Sequence, residues 1–143
     1  MDDEGISSGQ WWRWPLVPVA AIAGSVAGAA LFAVLEWVGM KIRGDYGEYG
    51  WMYRYILPVA DAAVFGGLFT YISYAVAPRG KLIAGTVMAT LLAVVCVGDI
   101  IFAWVVPENG AGDASLLSIE AVAAAVAGVV TLASAHSDRR MAA

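Results

Sequence analysis

The sequence predicts an all-α integral membrane protein, an antiparallel bundle of four transmembrane helices. Three observations carry that reading. The 143-residue chain is 61% hydrophobic and only 14% charged, with a mean hydropathy of +0.74, whereas soluble domains carry roughly 25% charged residues. Its apolar residues gather into runs that each reach the roughly 20 residues a helix needs to cross the hydrocarbon of a bilayer. Short breaks rich in Gly, Pro and polar residues separate the runs, and short connections favour antiparallel neighbours.

The first span is expected over 15–40. Its leader, "MDDEGISSGQWWRW", is acidic rather than basic, and the apolar run exceeds the about 7–15 residues of a signal-peptide core, so a retained helix is expected. The break "MKIRGDYGEYGWMYR" is polar, Gly-rich and aromatic, and the second span follows at 55–77. Pro58 falls in its first turns, where a missing N–H is tolerated. "APRGK" (Ala77–Lys81) is a tight turn, and the third span is expected at 82–106. "VPENGAGD" (Val106–Asp113) is another turn of Pro, Asn and Gly, leading into a fourth span at 114–135. Together these make one four-helix transmembrane domain over residues 1–143, with no internal duplication and no length left for a soluble catalytic domain.

Orientation follows from the excess of Lys and Arg on cytoplasmic loops. With four spans, one side carries Arg13, Arg79, Lys81, Arg139 and Arg140, and the other Lys41, Arg43 and Arg54. The first side, with both termini, is expected in the cytoplasm, and a prokaryotic inner membrane is the expected setting. Trp11, Trp12, Trp14, Tyr71 and Tyr74 would mark the inner interface. Trp37, Tyr46, Tyr49, Trp51, Tyr53, Tyr55 and Trp104 would mark the outer one.

Several function classes lose support at this point. The basic residues are scattered, so no nucleic-acid face is expected. Cys96 and His136 are the single cysteine and histidine, which argues against zinc, haem or copper sites, and no cofactor is expected. No HExxH, P-loop or GxGxxG occurs, so an enzyme is not the favoured reading. An intramembrane aspartyl pair, Asp61 with Asp99, is the one hydrolase arrangement the residues allow. Cys96 reads as a small buried apolar residue, His136 as part of a polar helix end, and "WWRWP" as an interfacial anchor. Asp45 and Glu48 lack the dense spacing of a Ca²⁺ loop.

The chemistry that remains lies in the acids. Each predicted span carries one: Glu36, Asp61, Asp99 and Glu120. Glu36 and Asp99 lie near the ends of their helices, Asp61 and Glu120 near the beginnings, so in an up-down-up-down bundle all four fall in one leaflet. At 1.5 Å rise per residue they sit roughly 6–10 Å inside the helix ends. Ala20, Gly24, Gly28, Phe32 and Glu36 form an i+4 row containing a GxxxG, "GSVAG", which lets backbones approach closely. Glu120, Ala124 and Gly128 form a similar row, so Glu36 and Glu120 are expected to face neighbouring helices. Asp99 shares a face with Cys96, and Asp61 lies seven residues from Arg54, within reach of pairing. A charge in the bilayer centre costs about 2.5–3.5 kcal/mol on insertion scales, less near an interface. Acids hydrated there, or paired with Lys41, Arg43 or Arg54, would be structural only. Acids that converge would hold a cation, Ca²⁺ or Mg²⁺ suiting an all-oxygen site, or share protons among them.

The leading functional expectation is a non-enzymatic accessory or assembly subunit that packs against other membrane proteins or itself. The alternative is a cation- or proton-handling protein using the four acids as a candidate site.

Overall fold

The computed structural model describes residues 14–43, 50–77, 80–105 and 111–141. The readings on Trp11, Trp12, Arg13, Asp45, Tyr46, Glu48, Tyr49, Pro78 and Arg79 lie outside them. Four helices are present: α1 (Leu16–Arg43), α2 (Leu57–Val76), α3 (Lys81–Val105) and α4 (Ala111–Met141), with a π-helical turn (Met52–Ile56) leading into α2. The four apolar stretches, Leu16–Ile42, Met52–Val76, Lys81–Val105 and Gly112–Ser137, are long enough to cross a membrane, and an 18-residue segment of each has a mean hydropathy of 2.1, 1.5, 2.3 and 2.1 respectively. The protein is an all-α four-helix bundle made for a bilayer.

Two helices, α1 and α4, overrun the expected spans, because hydropathy marks the hydrocarbon and not the end of the hydrogen-bond ladder. Thus α1 continues to Arg43 rather than ending at Met40, and α4 runs from Ala111 to Met141 rather than over 114–135. Before α3 the chain turns through Gly80 at φ 61°, a left-handed conformation open to Gly at little cost. The Gly80 carbonyl then accepts from Ala84 N–H at 3.0 Å.

Helix directions can be read from the small residues. A side chain at Gly24 would strike Ile72, and one at Gly28 would strike Leu68, so α1 and α2 run antiparallel through the GxxxG face. Gly66 lies directly against the backbone of Ala124, and Gly67 faces Thr131. Numbers rise together there, so α2 and α4 run parallel. Leu92 packs beside Gly128 and Trp104 reaches Ser118, which makes α3 and α4 antiparallel.

The bundle is not a symmetric square. α2 packs on all three other helices, its most extensive contact being with α4, while α1 rests almost entirely on α2. The core therefore centres on α2, α3 and α4, around Phe69, Met88, Leu92, Cys96, Ala121 and Ala124, and is joined from α1 by Ala21. Buried hydroxyls are satisfied locally where they can be. Ser73 donates to the Phe69 carbonyl at 2.6 Å and Ser25 to that of Ala21. Thr70, fully buried beside Gly128, has no partner for its Oγ1. A buried hydroxyl left so costs about 1–3 kcal/mol, set against the close α2–α4 packing around it. Large apolar side chains outside the core, such as Val19, Ile22, Val26, Ile83, Val94 and Phe102, are exposed on the bundle surface. Such a surface suits lipid, since hydrocarbon solvates these side chains and the helices satisfy their own backbone groups.

Candidate functional site: two carboxylate clefts

Glu36 and Asp61 share one cleft. It has a volume of about 340 Å³ and lies between the C-terminal part of α1 and the start of α2, with Trp37, Met40, Tyr53 and Pro58 completing its wall. The i+4 row that carries Gly24 and Gly28 onto α2 brings Glu36 to the same side of α1. Both acids are half-buried, and Asp61 Oδ1 is buried without a hydrogen-bond partner.

Two of the expected cationic partners, Lys41 and Arg54, are engaged with aromatic rings instead. Lys41 Nζ sits over the Trp37 ring at 4.3 Å from its centroid. The Arg54 guanidinium lies 5.8 Å from the Tyr55 ring centroid. Arg54 does not join Asp61, although a spacing of seven places two residues on one face of a regular α-helix. The reason is the π-turn between them. Leu57 N–H donates to the Met52 carbonyl, five residues back, so each residue advances the chain through less rotation and the heptad register is lost. Pro58 accounts for the local widening: it lacks an N–H, and its ring would collide with the carbonyl of Arg54 four residues earlier. Wide turns of this kind occur often at functional sites. The sequence carried a signal in Pro58, four residues after Arg54. Nothing in hydropathy alone placed Tyr53 in the cleft wall.

Asp99 and Glu120 share a second cleft, of about 440 Å³, between α3 and α4 and floored by Ala62 and Phe65 of α2. Asp99 is exposed at its edge and Glu120 is half-buried. Trp104 Nε1 donates to Ser118 Oγ at 3.1 Å, tying the end of α3 to the first turns of α4. Cys96 lines the same cleft, buried and outside any disulfide.

All four acids thus lie toward one end of the bundle, but α2 stands between the pairs. Asp61 looks toward α1 and its neighbour Ala62 toward α3 and α4. Among the described residues, no three or more Asp, Glu, His or Cys side chains come together as a metal site. Two carboxylates supply at most four oxygens, short of the six to eight that Ca²⁺ takes. A pair of this kind is suited to share a proton or hold one small cation.

The chain matches no protein-family model, no curated protein and no solved structure at a significant level.

Proposed function

We propose that this small polytopic membrane protein handles a proton or a small monovalent cation at the Glu36–Asp61 cleft. The observation that carries the reading is a cleft lined by two carboxylates, Glu36 and Asp61, with no basic residue among its described lining residues, one Asp61 oxygen being buried without a hydrogen-bond partner. Ionisable side chains within a membrane span are expensive, and where they persist they mark ion or proton pathways. The distribution of Lys and Arg supports cytoplasmic termini, and a prokaryotic inner membrane is the setting proposed.

The experiment is flux into liposomes holding the purified protein, read with an entrapped pH dye under imposed proton and K⁺ gradients. The parent should dissipate a gradient faster than protein-free vesicles, and Glu36→Gln with Asp61→Asn should bring the rate back to that background. Flux that survives the double substitution would remove the Glu36–Asp61 cleft from the pathway.

A second reading, an accessory or assembly subunit, is favoured by α1. This helix rests almost wholly on α2 and leaves Val19, Ile22, Val26, Leu31, Val34 and Leu35 exposed. Parent protein that conducts nothing, yet crosslinks through these α1 positions to another chain in native membranes, would decide for it.

A further inference from the structure

The second cleft differs in kind from the first. It is larger, about 440 Å³, within the roughly 300–1,000 Å³ of small-molecule sites, and its walls are mostly apolar. Along α3 it reaches from Leu92 to Ala103, about 17 Å at 1.5 Å per residue. Its deep end is formed by Leu92, Phe65 and Ala124. Asp99 and Glu120 come nearer the other end, where Phe102 and Leu117 flank them. Every charged group among its lining residues is a carboxylate.

From this arrangement we infer that the α2–α3–α4 cleft binds an amphipathic organic cation. The apolar body would lie against Leu92 and Phe65, and the cationic centre between Asp99 and Glu120. Charge complementarity selects the cation. Two acids facing a cavity without a base disfavour an anion or a neutral acyl chain. They favour a positive centre that keeps its charge in a low-dielectric surrounding. The apolar length selects against a small hydrated ion, which would leave most of the cavity unfilled. Phe102, at the acidic end, adds an aromatic ring of the kind that attracts quaternary cations. The site is separate from the Glu36–Asp61 cleft and does not depend on what passes there.

The test uses full-length protein in nanodiscs of zwitterionic lipid, with tetraphenylphosphonium as probe and tetraphenylborate, its anionic counterpart in shape, as control. Calorimetry should show saturable binding of the cation and none of the anion. Asp99→Asn with Glu120→Gln should weaken binding by about tenfold or more, because it removes both charge partners of the cation. Val95→Trp fills the cleft from the exposed side of α3 without removing a charge, and should weaken binding as well. Glu36→Gln with Asp61→Asn should leave it unchanged, which separates this site from the proposed ion pathway. Equal binding of cation and anion would show a mere apolar or lipid-filled groove. That result, or cation binding indifferent to both Asp99/Glu120 neutralisation and Val95→Trp, would overturn the inference. So would an absence of saturable binding.

Discussion

Gly66→Ala should destabilise the bundle by about 3 kcal/mol, the upper part of the usual range for overpacking, and Gly66→Leu should prevent it from forming. The added Cβ would meet the carbonyl oxygen, carbonyl carbon and Cα of Ala124. These are backbone atoms of a neighbouring helix, so no rotamer change relieves the clash and α2 must move off α4. That contact is the most extensive in the molecule, and Thr70 and Gly128 lie on the same crossing. Gly98→Ala is the control: its Cβ would enter open space, and an exposed helical Gly→Ala change gains about 0.5–1 kcal/mol. Unfolding in mixed micelles, followed by circular dichroism, compares the two. If Gly66→Ala unfolds at the same denaturant fraction as Gly98→Ala, the helices do not approach as closely as described.

Neutralising Glu36 and Asp61 together should act in the opposite direction, stabilising the protein by about 1–2 kcal/mol while removing flux. Stability is commonly given up at a site that function requires, and removing the chemistry returns it. Here the unfavourable terms are specific: an unpartnered buried oxygen on Asp61, two acids in one cleft, and Lys41 and Arg54 engaged with aromatic rings instead. Either single substitution relieves the like-charge juxtaposition. The second therefore adds less than the first, and the pair is non-additive. The same unfolding assay on the two singles and the double measures that coupling. Strictly additive effects would mean that the acids do not sense one another across the cleft.

The four helices and the faces of α1 and α4 could be read from composition and spacing, because each depends on residues within one helix. "GSVAG" meets Ile72 and Leu68 where close packing was expected, and the Glu120 row turns Ala124 and Gly128 to the interior. The arrangement between helices was less accessible. An up-down-up-down order brings the acids to one level, but it does not say that α2 occupies the centre and divides them. That outcome depends on Gly66 and Gly128 allowing a close parallel crossing of α2 and α4. The register around Asp61 was hidden for a different reason. Helical periodicity presumes a constant turn, and the π-turn ahead of Pro58 breaks that premise where Arg54 and Asp61 were expected to meet.

The glycine seat of α1 has a mechanical consequence. Gly24 and Gly28 fix the point where α1 bears on α2, and α1 has little other support within the bundle. Glu36 lies eight residues beyond Gly28, an arm of about 12 Å. Treated as a lever on that fulcrum, α1 converts a tilt of about 10° into a displacement of about 2 Å at the carboxylate. The width of the Glu36–Asp61 gap is thus sensitive to the inclination of a single helix, and tilting is one of the ways a span accommodates bilayer thickness.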